Sequence, residues 1–185
     1  MLDEPAEGLS EDDRELVKNV HKYGFHWLSV GQSEEDRLEH PDWNDVPDWS
    51  YTIGLYASYG HPEIVVFELE RDVVHALLWD LAGSIQAGGR FEPGQLFDDA
   101  LPSFEGQRFM FERVSPGWIP ALFGWGSWFY KYEEFPVLQY LWPDRTGLFV
   151  WEDAAAERLR DAQPILTESP VAQDSPPPRR TPLSM

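Results

Sequence analysis

The chain has no cysteine. That removes disulfide frameworks, thiol nucleophiles and thiolate metal sites, and it is compatible with a reducing compartment. Basic residues are scarce: 14 Lys+Arg face 33 Asp+Glu, for a formal charge of -19. Such a charge repels a phosphate backbone, so nucleic-acid binding is not expected. The acids gather in segments such as EGLSEDDRE and SEEDRLEH, which read as a solvated face in preference to a nucleic-acid mimic. Nowhere do about 18 apolar residues run together, and MLDEPAEG has neither a basic n-region nor an apolar h-region. The expectation is therefore no membrane span, no signal peptide and a cytoplasmic protein. Phosphate and nucleophile signatures are missing too, since there is no P-loop, no GxGxxG after a strand and no GxSxG. His21, His26, His40 and His75 lack the i,i+4 pairing of helical metal ligands. The loop His40-Pro41-Asp42-Trp43-Asn44-Asp45 lacks the glycine and terminal glutamate of an EF-hand. Neither a metal nor a cofactor is expected.

What the chain does have is aromatic mass: nine Trp, and 15% aromatics within 185 residues. That length suits one domain with a real core. Ser10 followed by Glu11, Asp12 and Asp13 opens a helix that Gly24 is placed to end. Phe25 to Val30 reads as a strand, and residues 32–48 as an exposed loop. Trp49 to Leu55 and Glu63 to Leu69 read as an antiparallel hairpin around the turn Ala57-Ser58-Tyr59-Gly60-His61-Pro62. Val73, Val74, Leu77, Leu78, Leu81 and Ile85 recur at helical spacing before Gly88-Gly89. Residues 91–107 read as a loop with a short strand near Phe91, and Arg108 to Val114 as a strand. An irregular helix interrupted by Gly124 and Gly126 comes next. A last strand starts at Val137, with Leu148 to Trp151 as its hairpin mate, and a short helix runs through AAAERLR. The sum is a single-domain α+β fold, a mostly antiparallel sheet with helices packed on one face. Residues 1–9 are expected to be flexible, 10–162 to form the domain and 163–185 to be a proline-rich disordered tail.

Two places carry candidate chemistry. His61-Pro62-Glu63 sets an imidazole and a carboxylate beside the sheet, where they serve either as an acid–base pair or as turn residues. In the strand 137–142, Gln139 shares a face with Leu141, and a buried amide there needs partners for both its ends. Asp144, before Thr146-Gly147, is placed to close an Asx-type turn. If the sheet joins these stretches, Tyr51, Thr52, His61, Glu63, Gln139 and Asp144 share one polar end, walled by Trp142 and Trp151. That arrangement describes either a ligand pocket or a well-packed domain end.

The ordered set YTIGL, GHPE before an apolar strand, and a late LQYLWPD with Gly147 and Trp151 behind it resembles the bacterial domain-of-unknown-function family 4262. The resemblance covers roughly residues 20–152, with Gly24-Phe25-His26 as its entry. It implies a small soluble α+β domain with no established reaction. Its recurrent positions here include Tyr51, Thr52, Gly54, Gly60, His61, Glu63, Gln139, Trp142, Asp144 and Trp151. The acidic start, the Trp-rich segment 118–128 and the proline-rich tail depart from it, as partner surfaces or as decoration. Three functions stand open: a non-catalytic domain binding a protein or small ligand through an aromatic-rich surface, a hydrolase or transferase using His61 and Glu63, and an acidic immunity or mimic protein blocking a basic partner. The first leads, because aromatics anchor interfaces and no complete catalytic motif is visible.

Overall fold

The computed structural model describes residues 9–31, 47–98, 101–155 and 157–169. Helix α1 (Glu11–Tyr23) starts with a reciprocal capping box: Ser10 Oγ accepts from the Asp13 N–H, and the Asp13 carboxylate accepts from the Ser10 N–H. Gly24, at φ +83°, ends it. Strands β1 (His26–Val30) and β2 (Trp49–Ile53) pair antiparallel. A one-turn helix α2 (Leu55–Tyr59) then leads to β3 (Glu63–Phe67), antiparallel to β2. Helix α3 (Arg71–Gln86) precedes β4 (Leu96–Asp98) and β5 (Arg108–Arg113). A 3-10 turn at Pro116–Trp118 opens into the short helices α4 (Ile119–Leu122) and α5 (Gly124–Phe129). Strand β6 (Val137–Leu141) and helix α6 (Glu157–Ala162) complete the set.

The sheet order is β1-β2-β3-β6-β5-β4. Among the described residues, only β3 and β6 pair in parallel. These two central strands are buried along their whole length, as strands covered on both faces must be. On one face, Leu77, Leu78 and Leu81 of α3, all 0% exposed, pack over Ile64, Val66 and Leu138. Each such leucine contributes about 1.5 to 3 kcal/mol by leaving water. On the other face, Leu16 and Val20 of α1 and Leu122 and Phe123 of the α4–α5 segment cover Tyr51, Ile53, Val65 and Phe67. The α+β class and the mostly antiparallel sheet are thus as expected, with helical cover on both faces. The physical reason is that β3 carries apolar side chains at both alternating sets of positions, and each set needs cover.

Four local expectations change. The connection between β2 and β3 contains α2, framed by Gly54 at φ +106° and Gly60 at φ +63°, in place of a plain turn. Leu148 to Trp151 forms no strand, because both edges of β6 are taken by β3 and β5. The short strand lies at 96–98, and Phe91 instead is a core residue packed on Phe97, Phe109 and Phe111. The packed chain also runs past Ala162 to Ser169: Leu166 is 1% exposed, and its carbonyl accepts from the Ser115 N–H at 2.7 Å. Composition marked that stretch as tail, but its backbone finds buried partners that composition does not reveal. Residues 1–8, 32–46 of the expected loop and 170–185 of the expected tail lie outside the described residues. Among the described residues, no helix is long and apolar enough to cross a membrane.

Candidate functional site

Helix α2 begins at Gly54, which has no side chain to cap it. Glu63, the first residue of β3, does that work from across the connection. Its carboxylate accepts from the N–H groups of Gly54 (2.8 Å), Tyr56 (3.1 Å) and Leu55 (3.4 Å), from Thr52 Oγ1 (2.7 Å) and from the Tyr130 hydroxyl. Thr52 Oγ1 in turn accepts from the Ile64 N–H at 2.9 Å. Burial raises the pKa of Glu63, while the donors of Tyr130, Thr52, Tyr56 and Gly54 pull it down. Burial and the Glu63 charge raise that of Tyr130, and burial raises that of Tyr51. Each contact around Glu63 presents a hydrogen to it, so the carboxylate serves as a buried helix cap.

His61, also 0% exposed, belongs to a different structure. Its Nδ1–H donates to the Pro62 carbonyl at 2.7 Å, and its Nε2 accepts from the Phe91 N–H at 3.2 Å. That pair of partners selects the neutral Nδ1–H tautomer. Its pKa is lowered, first by burial. The imidazole and carboxylate, read from sequence either as an acid–base pair or as turn residues, therefore each bind backbone groups of separate corners.

His26 supplies a pH prediction. Its Nδ1 accepts from Asn19 Nδ2 at 3.2 Å, and burial lowers its pKa from 6.5 to about 4. The folded state resists a proton that the unfolded chain takes up below pH 6.5, so this contribution is complete above that pH and is lost as pH falls towards 4. Urea midpoints measured across that window should drop more for the native chain than for His26→Gln, the difference amounting to about 1 to 3 kcal/mol. Parallel pH curves for the two proteins would refute it.

The other predicted site residues are dispersed. Gln139 bridges both ends of its amide to backbone, donating to the Pro164 carbonyl at 2.7 Å and accepting from the Leu166 N–H at 3.0 Å. The Trp142 indole N–H donates to the Phe67 carbonyl at 3.2 Å. Asp144 Oδ1 accepts from the Thr146 N–H (2.8 Å), Thr146 Oγ1 (2.6 Å) and the Leu148 N–H (3.1 Å), the Asx-type turn its neighbours predict. Trp151 is 49% exposed and stacks on Phe149. Because β3 and β6 are parallel, with Glu63 opposite Val137 and Val65 opposite Gln139, Trp142 and Asp144 emerge at the end of the sheet away from Glu63. Tyr51, Thr52 and Glu63 stay together. The single polar end does not form.

The structure instead gathers an open groove of about 1370 Å³ between the start of α1, the β1–β2 strands and the α4–α5 segment. Its aromatic lining includes Trp49, Tyr51, Trp125, Trp128 and Phe135. Trp49 donates its indole N–H to the Leu122 carbonyl at 3.0 Å, and the Tyr51 hydroxyl accepts from the Trp125 N–H at 3.3 Å. Trp125 and Trp128 meet edge to face with centroids 6.1 Å apart, both partly exposed. Asp12, Asp13, Glu133 and Glu134 give the lining acidic charge, against Arg113. Among the candidate residues, Tyr51 alone lines this groove. Trp125 and Trp128 belong to the Trp-rich segment 118–128, read from sequence as a partner surface or as decoration, and their i,i+3 spacing puts two indoles on one helix face; Tyr130 was not singled out from sequence. Among the described residues, no group of three or more His, Asp or Glu could hold a metal ion.

Comparison with known proteins adds a family. No curated protein matches the chain. A solved structure, the crystal structure of a putative SUFU (suppressor of fused protein) homolog from Neisseria gonorrhoeae FA 1090, superposes at a TM-score of 0.34 with 12% identity, covering 72% of this chain and 78% of that one. The model of "Domain of unknown function (DUF4262)" matches residues 19–156. That span holds Gly24, the Glu63 cap, the His61 corner, the Trp-rich segment and the amide of Gln139, and the chain belongs to the DUF4262 family.

Proposed function

We propose that the protein is a non-catalytic binding domain that takes an extended, cationic segment of a partner protein in the α4–α5 groove. The observation that carries this reading is the combination of partly exposed indoles with acidic residues in one groove. Aromatic rings anchor interfaces and attract cations, and acidic charge selects the sign of the partner. At about 1370 Å³, the groove exceeds the roughly 300 to 1,000 Å³ of small-molecule pockets. An acid–base reading draws less support, since both nitrogens of His61 and both oxygens of Glu63 are engaged by other groups.

The test is a titration of the purified chain with a panel of synthetic peptides rich in arginine and proline, followed by tryptophan fluorescence. A member of the panel should bind with an affinity that falls as salt rises. The variants Trp125→Ala and Glu133→Lys/Glu134→Lys should weaken it by about tenfold or more with the melting temperature unchanged. A panel that fails to bind, or that binds the variants equally well, would overturn the assignment.

A further inference from the structure

Resting on that reading, we propose that the partner segment is proline-rich and docks as a polyproline II helix: its carbonyls accept from the indole N–H groups of Trp125 and Trp128, and an arginine beyond the prolines meets Glu133 and Glu134. The first support is the set of hydrogen-bonding groups that the groove wall leaves open. Among the described residues, the indole N–H groups of Trp49, Trp118 and Trp142 donate to the carbonyls of Leu122, Glu168 and Phe67. Those of Trp125 and Trp128, partly exposed in the groove, have no acceptor among the described residues. The carbonyls of the same wall are engaged. Those of Ile119, Ser127 and Trp128 accept from the N–H groups of Phe123, Tyr132 and Lys131, and that of Leu122 accepts from the Trp49 indole. A docking β-strand must both donate and accept along its partner. A proline-rich segment brings carbonyls and few N–H groups, and polyproline II leaves those carbonyls unpaired within the segment. A wall that offers donors and has spent its acceptors suits the second kind of ligand.

The rim of the groove gives independent support. Lys131 (φ +55°) and Tyr132 (φ +63°) are consecutive non-glycine residues in the left-handed region, a strain that concentrates at ligand clamps. The Tyr132 N–H donates to the Ser127 carbonyl, which ties this strained turn to α5. The turn leaves Tyr132 74% exposed on the groove lining, where Tyr56 is also 42% exposed. Exposed rings of this kind receive the prolines of a polyproline II segment, whose preformed shape loses little entropy on docking. Glu133 and Glu134 follow Tyr132 directly and line the same groove. A guanidinium can stack on an aromatic ring and bridge to a carboxylate at once, which selects arginine over lysine at that end.

The test uses the full chain and two peptides of equal charge. One consists of repeated alanine-proline-proline units ending in two arginines, and the other has threonine at every proline. The proline peptide should bind about tenfold more tightly than its threonine analogue. In its complex the indole N–H resonances of Trp125 and Trp128 should move downfield while that of Trp151 stays in place. Trp125→Phe, which keeps a ring and removes the N–H, should weaken the proline peptide by about fivefold. A threonine analogue that binds as tightly, or indole resonances that stay unmoved in the native complex, would overturn this proposal. Where such binding still weakens in Glu133→Lys/Glu134→Lys, the cationic-segment reading survives without it. If neither peptide binds, the groove reading falls as well.

Discussion

Replacing Glu63 with alanine is expected to destabilise the domain by about 3 to 5 kcal/mol, the penalty for breaking a buried charge-assisted network. The variant would strand the N–H groups of Gly54, Leu55 and Tyr56 and the hydroxyls of Thr52 and Tyr130. Most of these groups are buried, so water cannot replace the carboxylate without opening the corner where α2 meets β3. Set against a typical total of about 5 to 15 kcal/mol, such a loss leaves a marginal fold. Glu63→Gln keeps one oxygen acceptor and turns an NH2 group towards the remaining donors, so its urea midpoint should fall between the other two. An alanine variant with the native midpoint would show that the carboxylate does not hold α2 in place. The experiment also separates this role from catalysis, because a reactive carboxylate can be removed from a site without unfolding the protein around it.

The second large effect is expected at Gly54. Its φ of +106° is one that L residues rarely adopt, and a Cβ built there would lie 2.7 Å and 2.9 Å from the two methyl carbons of Val20 and 3.3 Å from the Gly24 carbonyl oxygen. Backbone strain of about 1 to 2 kcal/mol adds to an overpacking penalty of about 1 to 3 kcal/mol, so Gly54→Ala should cost roughly 3 kcal/mol. Gly60 provides the control: it too has a positive φ, +63°, but nothing lies within 4 Å of its virtual Cβ. Gly60→Ala should therefore show only the backbone part, about 1 kcal/mol. Denaturation curves that shift equally for the two variants would mean that contact with α1 places no constraint on Gly54. A larger shift for Gly54 would confirm that α1 and the turn into α2 are packed through this one glycine.

These two residues also show where sequence reading reaches its range. Gly54 and Glu63 both stand out in YTIGLYASYGHPE, and their prominence is justified, but the reason for it is not written there. A histidine and a carboxylate two positions apart suggest shared chemistry. The partners that hold each of them come from elsewhere: Phe91 for the imidazole, and Tyr130 together with the turn of α2 for the carboxylate. Gln139 was legible as a buried amide needing two partners. Its actual partners, Pro164 and Leu166, lay in a stretch whose composition reads as tail. The turn at Asp144 was legible because Thr146 and Leu148, which donate to its carboxylate, are its immediate neighbours in sequence.

The sequence by itself determined what short-range physics governs. The capping box and Gly24 delimit α1, the apolar period delimits α3, and strand propensity places β1, β2, β3, β5 and β6 near their observed bounds. Such rules act through contacts between residues a few positions apart, where chain connectivity already holds the groups together. The tertiary structure alone decided that β6 enters the sheet between β3 and β5, that Glu63 meets a tyrosine 67 positions away, and that the tryptophans of α5 join Trp49 and an acidic α1 terminus in one groove. Those juxtapositions depend on which buried surfaces and orphaned polar groups find each other once the whole chain has closed.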